Sequence, residues 1–411
     1  MQSVKYYRRF FVAAFLVIST ATLFAAGTNS PREKLLLDFN WKFHLGDDWP
    51  NMMRLDKACL LYTSTFSGPT MVTSGTLQVS NSLALQDSTL SLNYVGGSLT
   101  FGNGITAATL GGLSGTQNLS LLNGSSAAVA LSVGGNNSST TYSGVLSGTG
   151  ASLTKSGLGT LILTGNNSYS GATSVAVGVL QLNSGGVIKG AAANVTDGAA
   201  MIVSGGSLAA SASSNVGGGA TTALLMSAGF ATYSDGLTVD LADDEPVLID
   251  VTGGNLTAAS LALGRSTFIQ TTLPTSGSTA DGLYVNGGTV NITGNLDMSS
   301  SSTVASSASM RIDSGSLTIG GTNIIGLNNS GRWSVVDVNG GTLTLTNTSA
   351  GVSLGGPYAG NAELLIRNGT ATIGRIGLGY GKVTNASVLN ITGGSLYVGA
   401  GGCLLYTSRC V

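Results

Sequence analysis

Charge is what this 411-residue chain has least of: Asp, Glu, Lys and Arg make up 9% of it, against about 25% in an ordinary soluble domain. With 17 basic and 18 acidic residues the formal net charge is −1. No cluster of Lys and Arg offers a footprint for nucleic acid or an anionic membrane surface, so neither is expected as a partner. The composition also argues against disorder, which needs low hydrophobicity and high net charge, because 42% of the residues are apolar. Histidine occurs once, at His44, which leaves none for a Ser-His-Asp triad further along the chain. Cysteine occurs three times, at Cys59, Cys403 and Cys410. These make no disulfide framework, although Cys403 and Cys410 could pair in an oxidising compartment. What is abundant is glycine, at 62 positions, together with Ser, Thr and Asn. The remaining class is an ordered all-β protein.

The hexapeptide Cys-Leu-Leu-Tyr-Thr-Ser stands at 59–64 and again at 403–408, and the composition changes where it first occurs. Charged side chains are frequent up to Lys57 and sparse throughout 65–402. The hexapeptide resembles a translated sequencing adapter of the kind found in metagenomic assemblies, which implies a composite reading frame. The organisation expected is a signal peptide at 1–26, a short segment at 27–58, a junction at 59–64, a repeat region at 65–402 and an adapter-like tail at 403–411.

Lys5, Arg8 and Arg9 precede the apolar run 10–18, and small residues follow at Ala25 and Ala26, the arrangement of an export signal. The run is too short to span a bilayer. Cleavage near Ala26 would leave a secreted or cell-surface chain. In the next segment Leu37, Phe39, Trp41, Phe43 and Leu45 alternate with polar residues, as in a half-buried strand. Residues 30–49 resemble the start of secreted family 2 glycoside hydrolases such as β-galactosidases. That family works with two glutamates on a later barrel domain, and no position of this chain matches them. A glycosidase of which only the N-terminus is present, inactive here, is therefore the alternative functional reading. A lone strand cannot bury its apolar face, so the segment is expected to fray or to dock opportunistically.

From Thr65 onward, glycine corners recur after an apolar and a polar residue. Their second glycines are Gly254, Gly288, Gly315, Gly341, Gly369 and Gly394, a near-regular series in which only the first interval is long. Apolar residues then alternate, as at Val290 and Ile292 or Leu343 and Leu345. Such a period predicts a solenoid, here a right-handed parallel β-helix with coils of about 25–28 residues. One set of side chains enters a narrow interior, and the Thr, Ser and Asn set faces solvent.

The clearest unit lies at 148–182. It contains Leu153-Thr154-Lys155-Ser156-Gly157-Leu158-Gly159-Thr160-Leu161, the turn Asn167-Ser168-Tyr169-Ser170-Gly171-Ala172-Thr173 and the closing Gly178-Val179-Leu180. This resembles the autotransporter-associated β-strand repeat, also called the passenger-associated transport repeat. A shorter copy at 66–79 aligns without gaps on 169–182, with seven of fourteen positions identical. The resemblance implies an exported passenger or stalk of adhesin type, non-enzymatic, on the surface of a bacterium.

The one acidic concentration is Asp235, Asp240, Asp243, Asp244, Glu245 and Asp250. Such a group can supply oxygen ligands to a hard cation if it converges in space, but a solvated loop is the expectation. Arg265, Arg311, Arg332, Arg367, Arg375 and Lys382 look scattered. No catalytic, cofactor-binding or metal-ligating residue is assigned from the sequence. A cluster of carboxylates on one solenoid face would reopen the case for a polysaccharide-processing enzyme. The Thr, Ser and Asn faces suit surface glycans or other solenoids as partners.

Overall fold

The structure is a computed structural model that describes residues 52–54, 66–399 and 405–406, other than 94, 197, 218–220, 240–246, 264–281, 299–308, 322, 326–332, 348–351, 355–360 and 379–386. The signal peptide, the strand pattern around Trp41, His44, the 59–64 junction and all three cysteines lie outside these residues. So do Asp240, Asp243, Asp244, Glu245, Arg265, Arg332 and Lys382.

The described part of 42–411 is all β, with strands stacked in parallel as a solenoid. Each coil visits three faces in turn. Thr173–Val175 lies on the first, face A, Val179–Asn183 on face B and Val187–Gly190 on face C, before Ala193–Val195 returns to face A above Thr173–Val175. The same order holds to the far end, where Ile376–Leu378, Ser387–Ile391 and Ser395–Val398 occupy faces A, B and C. Met52–Arg54, inside the glycosidase-like segment, pairs with 76–78 on face C, and Leu405–Tyr406 pairs with 377–378 on face A.

Period-two alternation supplies the core. In Ser152–Lys155 and Thr160–Leu163 every second residue is buried, and Leu153, Leu161 and Leu163 are almost wholly shielded. Stacked coils turn these positions into continuous columns. Each fully buried Leu, Ile or Val is worth about 1.5–3 kcal/mol, but only once a neighbouring coil covers it, so no coil is stable alone.

The predicted corner glycines are needed for two different reasons. Gly254, Gly315 and Gly394 have φ of 73°, 81° and 68°, which strains a residue with a side chain. At Gly288, Gly341 and Gly369 a Cβ would instead collide with the side chains of Val251, Ile312 and Val338 of the coil below.

Coil length matches the expected 25–28 from Thr289 to Ser395, where successive face C partners are 27, 26, 28 and 25 positions apart, and departs from it elsewhere. Leu153 stacks on Thr173 and Thr173 on Ala193, so each of these coils advances the chain by only twenty positions. Leu237 stacks on Leu261, a longer step, and Leu261 on Leu296, longer again by about half. The expected 25–28 therefore describes neither extreme. The difference lies in the passage from face A to face B. Thr173–Val175 is followed almost at once by Val179–Asn183, whereas Leu261–Ala262 is followed only by Gly282–Ile292.

Face C carries two outward columns. The first runs Phe230, Asn255, Thr289, Ser316, Thr342, Thr370, Ser395; the second runs Thr232, Thr257, Asn291, Thr318, Thr344, Thr372, Tyr397. Their side chains are exposed or half-buried, with apolar interior residues between them.

Candidate functional site

Two constellations stand out, one in the 148–182 unit and one on face B further along. The first centres on Lys155. By register it occupies an interior column whose other members include Leu110, Val133, Val175, Val195 and Val216. A buried ammonium is costly unless its three donors are used. Here all three are: Nζ donates to the backbone carbonyls of Ser156 and Gly157 at 2.7 Å and of Val177, one coil on, at 3.2 Å. Burial still lowers the Lys155 pKa to about 8. Gly157, at φ 70°, turns its carbonyl inward to meet it. The lysine thus ties the A-to-B corners of two successive coils from within.

Asn167 does related work where face C is interrupted. Its Oδ1 accepts from Leu146 N at 2.9 Å, and its Nδ2 donates to the carbonyls of Gly165 and Val187, both at 3.0 Å. Leu146 belongs to the coil below and Val187 to the coil above; the side-chain oxygen takes the place of a backbone carbonyl toward Leu146, and Nδ2 adds a second donor to Val187 O beside the backbone N–H of Asn167, also at 3.0 Å. Tyr169 fills the adjacent interior and shares a 2.7 Å hydrogen bond with Thr173 Oγ1. Its hydroxyl pKa is raised by burial, against a smaller opposing effect of Thr173. Buried Tyr142, two coils earlier than Val179, donates to the carbonyl of Gln117 at 2.6 Å, and its pKa is likewise raised by burial. The Lys, Asn, Tyr and Thr of the motif are all interior parts of the coil.

The second constellation is a charged ladder. Asp250, Tyr284, Arg311 and Asp337 stack on successive coils at one register position of face B. Alternation places them opposite the interior, yet Asp250, Tyr284 and Asp337 are buried. Arg311 Nε donates to Asp313 Oδ1 at 2.7 Å and lies 3.7 Å from Asp337 Oδ2. Asp313 also accepts from Tyr284 OH at 2.8 Å and from Asn339 Nδ2 at 2.9 Å. Arg367 grips both oxygens of Asp337, with Nε at 3.0 Å from Oδ1. Burial acts to raise the Asp313 pKa, but the bonds from Arg311, Asn339 and Tyr284 outweigh it and hold the carboxyl below its usual range. Tyr284 is pushed up to about 12, chiefly by burial and then by Asp313. Arg367 is raised by its bond to Asp337.

Arg311 and Arg367, which looked scattered in the sequence, are thus gathered around Asp337. The acidic concentration behaves otherwise. Asp235 accepts from Ser213 N and Oγ, at 3.1 and 2.6 Å, just after the face C strand, while Asp250 is buried within face B rather than in a solvated loop. Arg375 stands at the corner between Thr370–Ile373 and Ile376–Leu378. Among the described residues no group of three or more His, Cys, Asp or Glu side chains is placed to hold a metal ion. The carboxylates that do gather are held by guanidinium groups.

The class defined by these features is a three-faced parallel β-solenoid whose coils are keyed by interior polar side chains. The model of the passenger-associated-transport-repeat family matches residues 60–79 and 153–182, so the chain carries this repeat at both places. The two copies use different faces. Thr173 and Leu180 lie on faces A and B, whereas their counterparts Thr70 and Leu77 lie on faces B and C, all four buried. The repeat is therefore a portable strand–corner–strand piece. The solenoid fold and the two repeat matches support a passenger-type scaffold of the autotransporter kind. No curated protein and no solved structure matches it.

Proposed function

We propose that this chain is an exported, non-enzymatic solenoid that acts as a cell-surface stalk or adhesin scaffold, with the 148–182 unit promoting its folding as it is exported. The observation that carries this reading is the interior keying by Lys155 and Asn167. Both side chains bond to backbone of neighbouring coils, so a coil that has just emerged is fixed in register on the one before it. Register is the weak point of a repeat array, since every coil presents a similar edge. The charged ladder itself fits a structural role better than a catalytic one. A general acid needs a raised carboxyl pKa and access to substrate, whereas Asp313 is lowered and Asp337 is shielded.

The test is surface display. The full chain, fused ahead of a translocator β-barrel, is expected to appear on cells as protease-accessible protein. Replacing Lys155 and Asn167 by alanine is expected to cut that signal severalfold while total synthesis stays constant. Undiminished display in the double variant would remove the proposed export role. Hydrolysis of β-galactosides by the purified chain would overturn the non-enzymatic reading.

A further inference from the structure

We infer that face C, from Phe230 to Tyr397, is a binding surface for a neutral, extended polysaccharide chain lying along the solenoid axis. Three observations carry this. First, neither outward column holds a single Asp, Glu, Lys or Arg over seven successive strands, whereas face B carries Asp250, Arg311 and Asp337 over the same coils. A charged polymer would find no counter-charge on face C, while a neutral polyhydroxylated one finds hydroxyl and amide groups throughout.

Second, the strongly exposed aromatic rings among the described residues are Phe230, at 58%, and Tyr397, at 60%, and both stand on this face, one at each end. An apolar ring in water is unfavourable, and it suits the flat C–H face of a pyranose, while the sugar's rim exchanges hydrogen bonds with neighbouring hydroxyls. Third, the two rings are six strand steps apart, roughly 29 Å at the spacing of a sheet. That distance calls for several sugar units in an extended chain rather than a mono- or disaccharide. A second solenoid is the weaker fit, because sheet faces pack through interdigitating apolar side chains, and here only the two end positions supply them.

This inference gives the adhesin part of the proposed function a ligand class and rests on it for its setting. The experiment does not depend on display or export. The purified full chain is mixed with microcrystalline cellulose, with soluble neutral β-glucan and with polygalacturonate, and bound and unbound fractions are measured. Retention by the neutral polymers but not by polygalacturonate is expected. Phe230→Ala with Tyr397→Ala should weaken retention by about tenfold or more, since each ring contributes a substantial apolar contact. Both side chains are exposed, so the variant should keep its circular dichroism. Thr344→Lys, in the middle of the face, provides a second variant and should weaken binding without touching either ring. Absence of retention by the neutral polymers, or retention unchanged in both variants, overturns the inference. So does sedimentation showing concentration-dependent dimers of the parent chain that the ring variant abolishes, with no polysaccharide bound.

Discussion

The coils between 130 and 262 and those between 282 and 391 build the same three-faced solenoid by different means. In the first region the passage from face A to face B is short, and the polar groups that matter point inward: Lys155, Asn167, Thr173 and Tyr169. In the second that passage is long, and the polar groups that matter point outward on face B, where Arg311, Asp313, Asp337 and Arg367 join coil to coil. Both devices solve the same problem. A stack of similar strands has nothing in its apolar columns to fix one register over another, whereas a hydrogen bond or ion pair between named residues of adjacent coils does. The inward device uses backbone groups as partners and needs no second charged residue. The outward device needs complementary charges on separate coils.

The sharpest way to break the inward device is Lys155→Ala. It leaves three carbonyls without their donor and a cavity where the stem lay, and should cost about 4 kcal/mol. The loss should appear in hydrogen exchange as reduced protection of 130–195 with little change beyond 282. Lys155→Met keeps the volume and should cost about half as much. Stabilisation by methionine would mean that the buried charge is a net burden. The pH dependence supplies an independent check. The folded pKa of about 8 lies below that of an unfolded lysine, about 10.4. Between these values the unfolded chain holds a proton that the folded chain has released, so stability should rise with pH through this window. Tyr142, Tyr169 and Tyr233 act in the opposite sense, since their pKa values are raised by burial. Above about pH 10 the unfolded tyrosines ionise first, and stability should fall. A denaturation midpoint that peaks near pH 9–10 is the expected outcome.

Breaking the outward device should have a smaller and displaced effect. Asp337→Ala strips Arg367 of its partner and leaves Arg311 with Asp313 alone, at a cost of about 3 kcal/mol. Arg367 is one-third exposed, so water recovers part of the loss. Protection should fall across 309–391 and hold across 130–262. Asp337→Leu with Arg367→Met removes both charges and should be nearly neutral. The Asp313 pKa is depressed in the folded state, so its contribution is present above the unfolded value of about 3.9 and is lost as pH falls below it. Acid should therefore loosen the second region first.

Much of the solenoid was legible in the sequence because its rules are local. Alternation identified the interior residues, and the corner glycines were correctly placed, although φ and crowding divide them into two groups that look alike as letters. The motif residues Lys155, Asn167, Tyr169 and Thr173 could be picked out, but not the reason for their identity, which lies for Lys155 and Asn167 in the backbone groups they meet one coil away and for Tyr169 and Thr173 in the hydrogen bond they share. The charged ladder was invisible. Asp337 and Arg367 are far apart in the chain, and only a coil length that varies, short from Leu153 to Thr173 and long from Leu261 to Leu296, decides which positions stack. The acidic residues misled in the opposite direction, since Asp235 and Asp250, close in sequence, serve different faces.

Asn167→Ala tests the inward device at its other anchor. Three side-chain hydrogen bonds vanish and Leu146 N loses its acceptor, while Val187 O keeps the backbone N–H of residue 167, for about 2 kcal/mol. Asn167→Asp retains the acceptor for Leu146 N but loses both donations, so it should be no better than alanine at neutral pH. Thermal melts of the two variants separate a ladder role from mere filling of space. The contrast with Leu158 is then informative. It lies between the two motif glycines, Gly157 and Gly159, close to Lys155 in the chain, yet it is 75% exposed. Leu158→Ser removes a large apolar side chain from the heart of the repeat motif and should shift stability by no more than about 0.5 kcal/mol. If it costs as much as Asn167→Ala, the corner itself is packed against something outside the coil, and the inward device is not the one that matters there.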